Sequence, residues 1–317
     1  MQIMIHYGDP QFPNDVFVPH FYPEHLVDLG ETRMNYAMAG PEDAPALLLV
    51  PGQTESWWGY EPAMRLLEDR FRLYAVDLRG QGRSSRTPGR YTIDNMGNDL
   101  VRFVQIVIGR PVIVCGLSSG GVQSAWLSAF APPGLIRAAL YEDPPLFGAE
   151  VRPSRGHNLH GSAVSLIFGA FAKYLGDQWS IGDWPGFVRE VKTTMPAVLA
   201  ARPYDPATPT QMLKEYDPEW ARRTLDGTLF AGCDHARMLA QVKVPVLMTH
   251  HYRGIDTESG LFVGALSDEQ ADRVGELIRG TGQRYECQSF PAMGHMMHMQ
   301  DPVLYAQVVS DWVATLD

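Results

Sequence analysis

Residues 115–121 read Cys-Gly-Leu-Ser-Ser-Gly-Gly and contain the pattern Gly-x-Ser-x-Gly at positions 116–120. An apolar run at 111–116 predicts a buried strand before this turn, and 120–130 has the pattern of a helix after it. The glycines two residues before and after Ser118 leave room for a tight, strained turn that exposes a hydroxyl. The helix that follows directs N–H groups and its positive dipole end toward that hydroxyl. The stretch therefore predicts Ser118 as a nucleophile between a strand and a helix.

Apolar runs and helical patterns alternate on both sides of this turn. Strands are predicted at 46–50, 71–77, 111–116, 135–141, 244–249 and 284–290, and helices at 61–69, 94–107, 120–130, 267–279 and 302–316. Because the strands are almost continuously apolar, they predict a mostly parallel sheet with helices on both faces. From Pro144 to about Val242, aromatic-rich helical runs replace the strand pattern. The predicted fold class is α/β, with a helical cap inserted before the last core strands.

These patterns divide the chain into four parts. Residues 1–24 form an N-terminal arm, 25–145 the first part of the core, 146–242 the helical cap, and 243–317 the second part of the core. The arm is rich in proline and aromatic residues. Such a segment is expected either to wrap the surface or to contact a second copy in a homodimer.

The composition excludes several classes of protein. Hydrophobic residues make up 45% of the chain and charged residues 20%, which excludes a disordered chain. With 26 Lys and Arg against 36 Asp and Glu, the net charge of −10 repels phosphate backbones, so no nucleic-acid partner is expected. Three distant cysteines predict neither a disulfide framework nor a paired-cysteine zinc site. With no signal peptide and no apolar run long enough to span a bilayer, we expect a cytoplasmic protein without membrane insertion.

Three further motifs accompany the serine turn. They are Val-Pro-Gly-Gln at 50–53, Asp-Leu-Arg-Gly-Gln-Gly-Arg-Ser at 77–84, and Gly-His at 294–295 with Asp-Pro at 301–302. With these four motifs in this order, the chain resembles the α/β-hydrolase superfamily from about residue 25 onward. The resemblance implies a hydrolase with a serine, a histidine and an acid as its catalytic triad. No metal-ligand spacing is found among the ten histidines, and neither a metal nor a cofactor is expected.

The oxyanion that forms in such a reaction requires preorganised hydrogen-bond donors. The family pattern implies the backbone N–H groups of Ser119, directly after the nucleophile, and of Gln53, in the loop after the strand at 46–50. One departure from the family is Pro51, which stands where His is usual. This departure leaves the backbone donor of Gln53 available.

His295 is the histidine expected to act as the base. It follows a predicted strand and lies near the C-terminus, which satisfies the order of serine, acid and histidine along the chain in this superfamily. His298 lies three residues further on. His250 and His251 end a core strand, where lining a pocket is their expected role.

The acid has three candidates. Glu142 and Asp143 end the strand before the cap, the location that some lipases and the zearalenone lactonases use. Those lactonases also resemble this chain in having a second serine after the nucleophile. Glu142 matches by its distance from the nucleophile, and Asp143 by the acid–proline step, whereas Asp256 lies after the cap and later than the usual position there. Because successive strand residues point to opposite faces, only one of Glu142 and Asp143 is expected to reach His295.

Aromatic residues and methionines of the cap and the histidine loop favour an apolar pocket, although each has an alternative role in core packing. Those expected to contact the substrate are Trp57, Trp58, Trp179, Trp184, Phe187 and Met297. The expected substrate is a small apolar ester or lactone, which a carboxylesterase or lactonase would cleave through an acyl-enzyme on Ser118.

Other activities are compatible with the same residues. A carbon–carbon bond hydrolase and a cofactor-free perhydrolase or haloperoxidase would keep the same triad. An epoxide hydrolase or a haloalkane dehalogenase would instead carry Asp in place of Ser118. A non-catalytic binding protein on this fold would not need the serine, histidine and acids that are all present.

Overall fold

A nine-stranded sheet forms the centre of the computed structural model, which describes residues 3–5 and 18–316. The strands are β1 (Ile3–Ile5), β2 (Glu24–Asp28), β3 (Arg33–Ala39), β4 (Ala46–Val50), β5 (Arg72–Val76), β6 (Val112–Leu117), β7 (Ile136–Glu142), β8 (Val246–His250), β9 (Gly254–Ile255), β10 (Phe262–Val263) and β11 (Tyr285–Ser289). Across the sheet the order is β1-β2-β3-β5-β4-β6-β7-β8-β11, and β9 pairs with β10 in a separate hairpin. In this sheet, β1-β2, β2-β3 and β3-β5 are antiparallel pairs. The five remaining pairs, β5-β4, β4-β6, β6-β7, β7-β8 and β8-β11, are parallel. The mostly parallel sheet predicted from the sequence is confirmed.

Helices cover the sheet, and several begin at recognisable capping residues. They are α1 (Glu61–Leu67), α2 (Ile93–Phe103), α3 (Ser119–Phe130), α4 (Val164–Tyr174), α5 (Trp184–Thr194), α6 (Ala197–Ala200), α7 (Gln211–Lys214), α8 (Glu219–Leu225), α9 (His235–Leu239), α10 (Asp268–Arg279), α11 (Met297–Gln300) and α12 (Pro302–Val313). The Thr92 side chain accepts the backbone N–H of Asn95 at the start of α2, and Ser267 and Gln270 form a capping box at α10. Asp301 caps α12, which has proline in its first turn.

Apolar side chains pack against both faces of the sheet. Leu48 and Val50 of β4 face a core formed with α2, α3 and α10, whereas Leu47 and Leu49 face a core formed with α1 and α12. All six residues of β6 are buried, as expected of a central strand covered on both sides. The turn that follows β6 is therefore held by two packed layers.

The inserted segment, residues 143–245, separates β7 from β8 and contains α4 to α9. The predicted cap boundaries of 146–242 lie within it. The segment has aromatic packing of its own, in which Trp184 stacks on Phe187 with ring centroids 5.1 Å apart. The Trp220 indole donates to the backbone carbonyl of Arg79 at 2.9 Å. The inserted segment therefore rests on the loop that follows β5, at the carboxyl edge of the sheet.

Two parts of the structure are not predicted by the sequence patterns. They are the strands β1, β2 and β3, on the antiparallel side of the sheet, and the short hairpin of β9 and β10. Polar residues interrupt the apolar pattern of β2 and β3. Glu24 and Asn35 are nevertheless buried, because the Asn35 side-chain amide donates to Glu24 Oε1 at 3.0 Å across the two strands.

The predicted N-terminal arm falls largely on residues 1–2 and 6–17, which lie outside the described residues. From residue 18 onward the chain packs on α1. The backbone N–H of Phe21 donates to Glu61 at 2.6 Å, and the Tyr22 hydroxyl donates to Glu68 at 2.7 Å. Among residues 3–5 and 18–316, no helix combines the length and the apolar composition that a membrane span requires.

Candidate active site

Ser118 lies at the strand-to-helix turn that the sequence predicts, and Ser119 follows it as the first residue of α3. The backbone dihedrals of Ser118 are φ 52° and ψ −119°, a strained conformation for a residue other than glycine. A Cβ on Gly116 would collide with the carbonyl oxygen of Gly120, and a Cβ on Gly120 would collide with that of Val50. Both glycines are therefore required where the turn, α3 and the end of β4 approach one another.

The loop after β4 passes directly beside Ser118. A Cβ on Gly52 would lie 3.2 Å from the Cβ of Ser118, so the following residue, Gln53, is next to the turn. Two residues of the inserted segment hold the Gln53 side chain. Its Nε2 donates to the Tyr216 hydroxyl at 2.7 Å, and its Oε1 accepts from the Thr224 hydroxyl at 3.2 Å. The inserted segment therefore fixes the loop that carries one of the two expected oxyanion donors.

Asp143 is the carboxylate that the structure brings to His295. Its Oδ2 accepts a hydrogen bond from Nδ1 of His295 at 2.6 Å, and its Oδ1 accepts from the backbone N–H of His251 at 3.1 Å. The side chain of Asp143 is 2% exposed and that of His295 is 39% exposed, so the imidazole remains open to a ligand. Because an ionised carboxylate only accepts, Nδ1 of His295 carries a proton, and Nε2 is the ring nitrogen that has a lone pair in the neutral imidazole.

Asp143 is held in place by its backbone and kept ionised by its neighbours. It follows β7 with a positive φ of 42°, and its N–H donates to the carbonyl of Thr249 in β8 at 2.9 Å. Burial raises the pKa of the Asp143 carboxyl, but the hydrogen bonds from His295 and from the backbone N–H of His251 help to outweigh it. The pKa therefore lies below its usual value, and the carboxylate is charged at neutral pH.

The other two candidate acids have different partners. Glu142 is the last residue of β7, and its carboxylate accepts from Nδ1 of His298 at 3.0 Å. Asp256 lies in the β9–β10 hairpin, where it accepts from the backbone N–H and the hydroxyl of Ser259 at 2.8 and 2.6 Å. Asp256 thus stabilises its own turn. Of the three candidates, Asp143 is the one hydrogen-bonded to His295.

His250 and His251 hold backbone segments, which corrects the expectation that they line a pocket. Both are buried. Nδ1 of His251 donates to the carbonyl oxygens of Gly294 at 3.0 Å and His295 at 3.2 Å, which orients the loop that carries the candidate base. Nε2 of His250 donates to the carbonyl of Leu266 at 2.8 Å. The sequence patterns give no signal for the support that His251 provides.

A second group of charges, the buried cluster of Glu55, His298 and Glu142, adjoins the site. His298 Nε2 donates to Glu55 Oε1 at 2.6 Å, and its Nδ1 donates to the two Glu142 oxygens at 3.1 and 3.0 Å. The three side chains are at most 2% exposed. Burial lowers the pKa of His298, but the charges and hydrogen bonds of Glu142 and Glu55 raise it to about 10. His298 is therefore an imidazolium between two carboxylates.

We expect the buried cluster to stabilise the fold up to about pH 10. Because the pKa of His298 is raised above its usual 6.5, its contribution is full below pH 6.5 and is lost as the pH rises through about 10. His298→Gln leaves two buried carboxylates without a counter-charge, a loss of about 3–5 kcal/mol at neutral pH. Thermal unfolding of both proteins should show a difference in Tm that shrinks as the pH rises from about 6.5 to about 10. A difference that stays constant into more alkaline solution would contradict a charged His298.

Four of the six residues expected to contact the substrate pack in a core instead. Trp57 and Met297 are fully buried on the α1 and α12 face of the sheet, where the Trp57 indole donates to Glu24 at 2.8 Å. Trp184 and Phe187 belong to the aromatic core of the inserted segment and are 2% and 0% exposed. A fully buried side chain has no surface left for a ligand, which corrects the expectation for these four.

Trp58 and Trp179 are half-buried and lie where the inserted segment meets the core. The Trp58 indole donates to Glu215 Oε2 at 3.0 Å, and the Trp179 indole donates to the carbonyl of Gly82 at 2.8 Å. Met296, the neighbour of His295, is 38% exposed. Within the part of the chain that the structure describes, no group of three or more His, Cys, Asp or Glu side chains is arranged to hold a metal ion.

Comparison with known proteins gives the class that this fold and site define. A model of the alpha/beta hydrolase family matches residues 47–308, most of the chain. The protein belongs to the alpha/beta hydrolase family, and the fold that the sequence motifs imply is confirmed.

Individual relatives match only part of the chain, and their sequence identity to it is low. The chain is 30% identical over 117 residues to 3-oxoadipate enol-lactonase 2 of Acinetobacter baylyi, a match to 36% of this chain and 43% of that protein. It is 28% identical over 134 residues to epoxide hydrolase 2 of Caenorhabditis elegans, a match to 39% and 38%. The matched stretches thus span less than half the length of these relatives. The crystal structure of the enol-lactonase from Burkholderia xenovorans LB400 matches 91% of this chain and 99% of its own, with a TM-score of 0.64 and 17% identity, and shows the shared fold.

Proposed function

We propose that this protein is a serine hydrolase that cleaves a carboxylic ester or a lactone through an acyl-enzyme on Ser118. The observation that carries the proposal is the 2.6 Å hydrogen bond between Asp143 and Nδ1 of His295, in a chain whose strained turn carries Ser118. This bond gives His295 the tautomer whose Nε2 accepts a proton from a serine hydroxyl.

The reaction has two halves. In the first, Ser118 attacks the carbonyl carbon while Nε2 of His295 takes its proton, and the oxyanion accepts from the backbone N–H groups of Gln53 and Ser119. The intermediate collapses, and the alcohol leaves with the proton from His295. In the second half, His295 takes a proton from water, which attacks the acyl carbon, and Ser118 leaves with that proton. Asp143 stabilises the imidazolium each time and stays ionised.

We also propose that the inserted segment acts as a cap and that the substrate binds between it and the core. The hydrogen bond that Gln53 donates to Tyr216 and the one that it accepts from Thr224 support this position of the cap. Met296 supplies an exposed apolar side chain beside His295, which supports an apolar part in the substrate. A lactone is supported by the enol-lactonases found among both the sequence relatives and the solved structures.

Epoxide hydrolysis is less well supported, although an epoxide hydrolase is among the relatives. Opening an epoxide through an ester intermediate requires a carboxylate nucleophile. At the corresponding turn this chain has the hydroxyl of Ser118.

Reaction with a serine-directed fluorophosphonate tests the proposal. We expect the protein to be labelled at Ser118, as located by mass spectrometry, and to hydrolyse p-nitrophenyl butyrate and simple γ- or δ-lactones. A folded protein that does not react would contradict an activated serine. A protein that is labelled but cleaves neither esters nor lactones would favour carbon–carbon bond hydrolysis on the same residues.

A further inference from the structure

His298 of the buried cluster binds two other segments of the candidate active site. Its Nε2 holds Glu55 in the loop after β4, residues 51–56, which we call the oxyanion loop. Oε2 of Glu55 accepts the backbone N–H of Gly52 in the same loop at 2.9 Å. Its Nδ1 and its backbone N–H, the latter at 3.2 Å, hold the carboxylate of Glu142. Glu142 is the residue directly before Asp143. A single buried cation therefore joins the oxyanion loop to the strand end that carries the acid.

The same cation belongs to the segment that carries the base. His298 lies in α11, three residues after His295. The backbone carbonyl of Glu142 also accepts the N–H of Ser118 at 2.8 Å. The segments of the nucleophile, the acid, the base and the oxyanion loop thus meet at one charged cluster.

The surroundings of His298 favour a role in geometry over one in net stability. The Tyr60 ring stacks on the imidazole with centroids 4.0 Å apart, and the Tyr305 ring lies at 5.8 Å. Apolar side chains in such a site often stabilise a fold as well as buried charges do, because they avoid the desolvation cost. Charge-assisted hydrogen bonds from both ring nitrogens add something that apolar contacts lack, namely fixed distances and directions.

We infer that Glu55, His298 and Glu142 are positioning residues, which hold the oxyanion loop at a fixed place relative to Ser118 and to the acid–base pair. The inference rests on the proposed function. A displacement of about 1 Å in a reacting geometry costs up to about 10²-fold in rate. Weakening the cluster should therefore lower kcat more than it changes KM, because the loop donor acts chiefly in the transition state.

Glu55→Gln tests this inference, because it removes one charge and keeps the size of the side chain. The matched control is Asp99→Asn, which removes one charge from the buried Arg79–Asp99 ion pair, at 2.7 Å. We expect Glu55→Gln to lower kcat for p-nitrophenyl butyrate by about 10- to 100-fold with KM within about threefold. Asp99→Asn should keep kcat within about twofold, although both variants lower Tm. If Glu55→Gln and Asp99→Asn lost the same factor in kcat when compared at equal folded fractions, the cluster would have only a structural role and the inference would be wrong.

Nuclear magnetic resonance of the wild-type protein keeps the inference falsifiable if Glu55→Gln does not fold, and it adds a second readout if the variant does fold. Both ring nitrogens of His298 should be protonated in the wild-type protein at neutral and mildly alkaline pH, and a neutral His298 would overturn the inference. The low-field proton between His295 and Asp143 should shift in Glu55→Gln and stay in place in Asp99→Asn. This readout needs no activity. A wild-type protein that does not react with the fluorophosphonate would contradict the proposed function, while the proton shift would still decide the positioning role.

Discussion

Ser118→Ala is expected to abolish ester cleavage and fluorophosphonate labelling while leaving the fold intact. The loss of a triad serine lowers kcat by about 10⁶-fold in a well-studied protease, because no other group forms the acyl-enzyme. Alanine keeps the Cβ at the strained turn and removes only the hydroxyl, so Tm should change little. The measurement is kcat for p-nitrophenyl butyrate, together with the mass of the labelled protein.

Ser128→Ala is the matched control, because Ser128 is a buried serine on α3, the helix that begins directly after Ser118. Its hydroxyl donates to the carbonyl of Ser124 at 2.6 Å, one turn earlier in α3. We expect this variant to keep its activity and its labelling. If Ser118→Ala retained a tenth of the wild-type rate, the nucleophile would have to be another residue.

Asp143→Asn is expected to lower kcat by about 10⁴-fold, the loss found when the corresponding acid of a serine protease becomes an amide. The amide is neutral and can donate to Nδ1 of His295, which favours the tautomer with its proton on Nε2. That tautomer cannot take the proton of Ser118. The rate should be followed from pH 6 to 9, because the loss is expected throughout this range rather than as a shift of one pKa.

Substitutions of the other two candidate acids show whether the effect is specific to Asp143. Asp256→Asn should stay within about twofold of wild type, because Asp256 caps its own turn. Glu142→Gln should lose about 10- to 100-fold, as expected of a positioning residue that does not contact the base. A collapse of Asp256→Asn or Glu142→Gln to the level of Asp143→Asn would assign the acid differently.

The sequence determined the parts of this protein that depend on local chemistry. Gly116 is needed for local backbone clearance, because a Cβ there would meet the carbonyl of Gly120 within the same turn, so the pattern at 116–120 predicts the turn by itself. Apolar runs such as Ala46–Val50 predict strands because burial on both faces leaves no room for polar side chains. His295 follows from its place after a strand near the end of the chain.

Tertiary structure alone decided which acid meets His295 and which of the expected aromatic residues are buried in a core. Glu142 and Asp143 are neighbours, and the choice depends on the positive φ of Asp143 and on its hydrogen bond to β8, which no local pattern encodes. Aromatic residues at helical spacing pack inward in the same pattern whether a ligand or a core covers them. No sequence pattern predicts the buried cluster, because His298 lies 243 residues from Glu55 and 156 residues from Glu142 along the chain. Contacts over such separations arise only when the sheet order brings distant loops together at one edge.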